Sequence, residues 1–481
     1  MIKNFFFKNI GIRQMVIKNA FWLGVAEVVS RLVEFALIIQ VVRVLGVAEF
    51  GKFTFALAFV SVVAVIFDLG LFNTITRELS YGSAAEKDYP AILSLKLVLN
   101  VTTFVFIVGV SFLVTGDSGS RLAFWMMGIF VLVNDFFSVL YAFIRARQKM
   151  EFEAAAKIIR SLVLAGVVSW VIARFPSLGN ISLGYVIANA VALAVVLLLF
   201  HVNVQHVVLR FHTGTWKKLL AISWPLGLAA VFGATVISAD SIMMGYLGQT
   251  TENGWYNAAQ KLISAIVIVA TLISMSFYPL LSRLFHESKE LLQRAWNYYM
   301  EAMIILAVPV VTGGFFLAPR IIPFIFGDGF EPSIVVFRVL IFVAGMSFIC
   351  YPYITILIVS RQQAKYVWVN MAGAVVSVML NAVLIPRYSL YGASAAAIAT
   401  YVVLLVLSAG FSRRFTSVAI FNARIFNIFL LSAAASFAMV LLVYQLIGFG
   451  GNIVMGIVSG VVIYAVILLT AYRNISWSKV S

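Results

Sequence analysis

The chain has 481 residues, of which 63% are hydrophobic and only 11% charged, with a mean hydropathy of +1.05 and a formal net charge of +16. Such a composition excludes an ordinary soluble domain and points to repeated membrane crossing. The positive charge is spread over short gaps between apolar runs instead of forming one basic stripe, which favours anionic headgroups over nucleic acid as its partner.

A helix needs about 20 mostly apolar residues to cross a hydrocarbon core roughly 30 Å thick. Fourteen runs qualify: 20–42, 53–75, 91–115, 122–144, 158–175, 181–203, 220–247, 255–281, 301–326, 334–359, 366–386, 391–411, 424–446 and 451–472. The run 158–175 is short. The first run carries Glu27, Arg31 and Glu34 and no small-residue cleavage site, so it is expected to stay as a helix and not to be removed as a signal peptide.

Sorting the 34 Lys and Arg residues by gap places 25 on one side of the membrane and 8 on the other, with Arg31 left inside the first span. The richer side includes Lys3, Lys8, Arg77, Lys87, Lys96, Arg145, Arg147, Lys149, Lys157, Arg160, Lys217, Lys218 and Lys479. Cations accumulate in short cytoplasmic loops, so that side and both termini are expected to be cytoplasmic, in a cell membrane.

The two halves of the chain resemble each other weakly. Trp22 pairs with Trp224 and Leu45-Gly46 with Leu247-Gly248 at a shift of 202, Glu49-Phe50-Gly51 with Glu252-Asn253-Gly254 at 203, and Arg147-Gln148 with Arg361-Gln362 at 214. The matches keep their order and span six helices, an even number, which predicts a parallel repeat. The expected organisation is all-α and polytopic, with about fourteen transmembrane helices: a six-helix lobe at 1–203, a cytoplasmic linker at 204–219, a second six-helix lobe at 220–411 and two extra helices in 412–481. Pro225, Pro309 and Pro352 fall inside expected spans, as hinges or as static kinks.

Intramembrane charge carries the sharpest functional signal. Glu27, Arg31 and Glu34 follow i, i+4, i+7 spacing and share one helix face. A charge at mid-span costs about 2.5–3.5 kcal/mol on insertion scales, so such a group faces a bundle interior or a wet cavity, either as a cavity-facing cation flanked by acids or as a self-neutralising cluster that locks the helix to its neighbours. Asp68, Asp135 and Asp240 also lie in spans, where acids carry protons, bind Na⁺, cap a kinked helix or pair with a nearby arginine. Lys261 sits near the outer end of its span, in snorkelling range of the interface. His201, His206 and His212 lack an acidic or Cys partner at ligand spacing, so no metal site is expected. No G-x-x-x-x-G-K-[ST] loop occurs, so neither ATP nor any other cofactor is expected, and no catalytic triad stands out.

At this point the chain resembles the polysaccharide transporter family of lipid-linked oligosaccharide flippases, in the superfamily that also holds MATE drug exporters and lipid II flippases. The resemblance is carried by Leu45-Gly46 through Gly51, by Asp240 with Leu247-Gly248, Gly254-Trp255-Tyr256 and Ala258-Ala259, and by Asn381 through Ile385-Pro386 and Gly392-Ala393. Ser30-Arg31 followed by Arg43-Val44-Leu45-Gly46 is similar to the first helix of the lipid II flippases, in which the arginine at the Arg31 position faces a cationic cavity. A second arginine of that helix corresponds to Leu37 here, which argues against lipid II as cargo.

The resemblance implies an O-antigen-type flippase, not an enzyme, that moves a polyprenyl-diphosphate oligosaccharide outward by alternating access. Arg31 and Lys261 would contact the phosphates, while Glu27, Glu34, Asp68, Asp135 or Asp240 would couple transport to H⁺ or Na⁺. Membrane lipids and a polysaccharide polymerase are further implied partners. The competing expectation is a MATE-like antiporter for cationic drugs, which a mid-span arginine disfavours.

Overall fold

The computed structural model describes residues 12–71, 74–75, 89–147, 149–203, 209–416, 418, 423–448 and 453–477. Lys3, Lys8, Arg77, Lys87, Gln148, His206 and Lys479, and the side chains of Arg13, Pro225 and Arg473, lie outside the described residues. Twelve long helices carry the described chain: α1 (Ile12–Asp68), α2 (Tyr89–Val114), α3 (Ser118–Ala146), α4 (Met150–Arg174), α5 (Leu178–Asn203), α6 (Thr213–Tyr246), α7 (Thr250–Glu287), α8 (Lys289–Phe326), α9 (Ser333–Val359), α10 (Gln363–Phe415), α11 (Ala423–Gly448) and α12 (Ile453–Trp477). All twelve are long and apolar enough to cross a membrane, and no strand occurs among the described residues.

Two of the helices are each interrupted once. α1 breaks at Gly46 (φ 69°, ψ −179°) and α10 at Ser389 (φ 51°, ψ −129°), three residues after Pro386. Taking the arms on either side of each break separately recovers the reading of about fourteen spans. Gly46 needs a positive φ that a β-carbon would strain, and Gly248, its counterpart in the repeat, turns the chain at φ 74°. The repeat read from Leu45-Gly46 and Leu247-Gly248 is therefore written in the backbone as well.

The described chain divides into two compact units, Met1–Gly254 and Trp255–Ser481. In the first, α1 packs against α2, α3, α4, α5 and α6. α6 and the first turn of α7 lie against the second arm of α1 through positions too close for side chains: a β-carbon on Gly227 would fall 2.5 Å from the Leu69 backbone, and one on Gly245 2.1 Å from the Phe55 ring. A core of Ile92, Leu95, Phe137, Leu140, Val196 and Phe200 fills the space between α2, α3 and α5. Asp117 caps α3 by accepting the Gly119 and Ser120 N–H groups, and His212 caps α6 by accepting that of Thr215.

In the second unit, α8 packs against α9 and α11, α9 against α10, and α11 against α12. Its core holds Trp296 and Tyr299; the Tyr299 ring stacks on Phe277 at 4.7 Å and its hydroxyl donates to Ser274. Pro279, Pro309, Pro319, Pro323, Pro352 and Pro386 all lie inside helices. Cys350, the only cysteine of the chain, is buried in α9.

Candidate functional site

The first arm of α1 and the whole of α4 run side by side in the same direction, as their contacts show. Lys18 meets Glu151 at 3.1 Å, Glu27 meets Lys157 at 3.3 Å, Glu34 meets Arg160 at 3.4 Å, and Ser169 donates to Gln40 at 2.8 Å. The acids of α1 are matched by a second stripe, because Glu153, Lys157 and Arg160 on α4 repeat the i, i+4, i+7 spacing of Glu27, Arg31 and Glu34. Arg145, from the end of α3, closes the ladder with two 2.7 Å bonds to Glu153. Arg160 also donates to Asn189 of α5, and its guanidinium lies over the Phe137 ring.

Burial separates structural members of this ladder from an accessible one. The Glu153 side chain is 0% exposed and is held by Arg145 and Lys157, so loss of the acid would take a buried partner from two cations at once. Arg31 makes a 2.9 Å bond to Glu27 yet leaves 53% of its side chain exposed, more than Lys18, Arg145, Lys157 or Arg160. An ion pair that open contributes only about 0–1 kcal/mol to folding. Its bidentate donor geometry suits a phosphate.

The structure also brings together two acids that the sequence had offered separately. Lys96, 2% exposed on α2, pairs at short range with Asp68 at the end of α1 and with Asp135 on α3. Asp240 is buried elsewhere, in α6, with its Oδ1 accepting the Ser241 N–H at 2.8 Å. Lys261 is half-buried in α7, in the second unit.

The assignment of cations to loops needs correction where the helices run on past the apolar runs. Lys96, Lys157 and Arg160 are among the cations that lie within helices, here α2 and α4, and they pair with Asp68, Asp135, Glu27, Glu153 and Glu34. Their charge is tolerated there because an acid on a neighbouring helix compensates it. The same pairing explains why α4 starts at Met150, well before the short apolar run at 158–175: its first two turns are charged but satisfied. The spacing of Glu153, Lys157 and Arg160 was a readable signal of this face.

The second unit contains a separate cavity of about 320 Å³ formed by α8, α11 and α12 with Ile266 and Phe337. Its walls are apolar apart from Tyr464, and include Pro309, Gly313, Met439 and Val443. Nearby in sequence, the buried acid Glu301 on α8 holds Arg424 at 2.6 Å, fastening the start of α11.

A family model described as polysaccharide biosynthesis protein matches residues 16–285, more than half of the chain and all of the α1/α4 ladder. The chain belongs to the polysaccharide biosynthesis protein family. Among its relatives, a Shigella flexneri protein named as an O-antigen transporter is 21% identical over 336 residues, covering 66% of this chain and 78% of that one. The capsular polysaccharide biosynthesis protein CapF of Staphylococcus aureus is 19% identical over 388 residues, covering 79% of this chain and 94% of that one.

The fold of this family member is that of the lipid II flippase MurJ in an inward closed conformation, with a TM-score of 0.78 over 94% of this chain and 99% of that chain at 13% identity. An inward-facing MATE multidrug transporter of the MOP superfamily aligns with a TM-score of 0.67 over 83% and 95% at 14% identity.

Proposed function

We propose that this protein is a flippase that carries a polyprenyl-diphosphate-linked oligosaccharide from the cytoplasmic to the outer leaflet of a cell membrane, by alternating access, for surface polysaccharide biosynthesis. Family membership, the two polysaccharide-related relatives and the flippase-like fold support this reading. The observation that carries it to a site is Arg31, a half-exposed guanidinium inside an apolar span, between two glutamates that α4 has already paired.

In this reading Arg31 contacts the diphosphate, which cannot cross hydrocarbon unaided, and Lys261 is the second candidate phosphate contact. Leu37, at the position where lipid II flippases carry a second arginine, is 3% exposed and cannot add one here. The isoprenoid tail needs only apolar surroundings, which the surrounding lipid supplies and the cavity between α8, α11 and α12 also offers. The transport lobes are residues 1–203 and 220–411, joined by a cytoplasmic linker at 204–219, with both termini cytoplasmic. Energy comes from an ion gradient acting through intramembrane acids, from removal of product outside, or from both; a polymerase is the partner suited to that removal.

A MATE-like exporter of cationic drugs is the second reading, favoured by the shared fold. Arg31 would repel such a cargo at the site that has to hold it. Deleting the gene separates the two: a flippase deletion loses surface glycan and accumulates the lipid-linked intermediate, whereas a drug-exporter deletion leaves glycan intact and raises drug sensitivity.

A further inference from the structure

We propose that Asp68, Lys96 and Asp135 form a single-proton site, negatively charged when empty and neutral when loaded, whose occupancy biases how α1, α2 and α3 sit together. Two carboxylates share one ammonium, and Lys96 is 2% exposed, so the ammonium has no solvent alternative to these partners. Neighbouring Ile92, Leu95 and Leu99 on α2 and Val133 and Phe136 on α3 belong to one apolar cluster.

With all three groups ionised the cluster carries a net charge of −1 in largely buried surroundings, which costs several kcal/mol unless a cation joins it. The Lys96 ammonium already fills the place between the carboxylates, so a metal cation would be repelled there. A proton meets no such obstacle: it adds to a free carboxylate oxygen and leaves a neutral acid beside an intact Asp–Lys pair.

The charged groups on the surrounding helices are engaged elsewhere. α4 places Lys157 and Arg160 over Tyr141 and Phe137 and pairs them with Glu27, Glu153 and Glu34. α6 carries Lys217 and Lys218, both exposed, and α5 brings Asn189 to the Phe130 carbonyl. Among the described residues no second cation pairs with Asp68 or Asp135.

Protonation removes one of the two ionic contacts through which Lys96 ties α1 to α3. A site whose proton affinity depends on that closeness shifts the equilibrium between conformations by the difference in affinity. The coupling role rests on the transport reading: one proton binds from one side and leaves to the other as cargo crosses in the opposite sense, with no covalent change in either. Proton binding itself is independent of what the cargo is.

Two measurements test the site. Infrared difference spectra of the purified protein in lipid nanodiscs, taken across pH, should contain a protonated-carboxyl band that is lost in Asp68→Asn and in Asp135→Asn, each checked for normal folding by gel filtration. A band that survives in both variants overturns the proposal. In proteoliposomes loaded with lipid-linked oligosaccharide, an imposed pH gradient should change the wild-type flipping rate, whereas Asp135→Asn should flip at one rate with or without the gradient. An undiminished response in the variant, or a response to Na⁺ alone in the wild type, also overturns it. A wild-type protein that shows the band but never flips the cargo sinks the flippase reading and leaves the proton site standing.

Discussion

Gly51 lies against Thr250 with no room for a side chain: a β-carbon on Gly51 would fall 1.7 Å from the Thr250 carbonyl oxygen. Gly254 meets Val47 in the same way, at 2.0 Å from its carbonyl oxygen. Residues 47 and 250 are 203 apart, as are 51 and 254, so one contact is made twice by the two copies of the repeat. This is the reciprocity of an isologous interface, here within one chain. Asn253 adds a 2.8 Å bond from its Nδ2 to the Gly51 carbonyl.

Because backbone atoms stand in the way, neither glycine should accept a side chain. Gly51→Val and Gly254→Val are expected to lose about 1–3 kcal/mol each, toward the upper end of overpacking costs. Gly166, which has nothing within 4 Å of its added β-carbon, supplies the control, and Gly166→Ala should be neutral or stabilising. Thermal unfolding in detergent reads the difference; equal melting of Gly51→Val and Gly166→Ala would contradict the packing argument.

Arg31 should matter for transport and hardly at all for stability. Removing a charge-assisted contact of about 1.5–3 kcal/mol corresponds to a roughly 10–150-fold loss of flipping in Arg31→Ala. Arg31→Lys should recover part of it, since charge is kept and the planar fork lost. The melting temperature should barely move, because the exposed Arg31–Glu27 pair adds little. Full activity in Arg31→Ala at normal expression would remove Arg31 from the site.

Glu153 should behave in the opposite way. It is fully buried between Arg145 and Lys157, so Glu153→Gln leaves both without their common partner and is expected to cost about 3–5 kcal/mol. The readout is the yield of monodisperse protein after extraction. Glu27→Gln, at a partly exposed position, should be extracted at close to wild-type yield.

Asp117 lies between α2 and α3, where bonds from the Ser120 hydroxyl and N–H hold its carboxyl down at about 2. A carboxylate held below its usual value of about 3.9 stabilises the fold above that value, and the contribution fades as pH falls toward 2. Asp117→Ala should therefore cost about 1 kcal/mol at neutral pH, as for loss of an N-cap. The gap between wild type and variant should close on acidification below about pH 4. Unfolding curves for the two proteins across that range measure it.

Hydropathy located the apolar segments well because the bilayer demands long runs, and Leu45-Gly46 and Leu247-Gly248 disclosed the repeat because a left-handed turn admits few residues other than glycine. The ladder was only half legible. Glu27, Arg31 and Glu34 stood out on one helix, but their partners sit more than a hundred residues away, where Lys157 and Arg160 looked like ordinary loop cations. Lys96 was overlooked for the same reason: a single lysine near the start of a span reads as a membrane-surface charge until the two aspartates that hold it are seen together. Sequence spacing reports neighbours along one helix, and charge compensation in a membrane runs between helices.

The burial of Cys350 leaves the native chain without an accessible thiol among its described residues. Any cysteine introduced at the surface then answers a membrane-impermeant maleimide on its own account, with no need to strip the background first. Lys149→Cys and Lys217→Cys are expected to stay unlabelled in intact cells and to react once the membrane is opened. Labelling of either from outside would invert the proposed orientation and, with it, the direction in which cargo leaves.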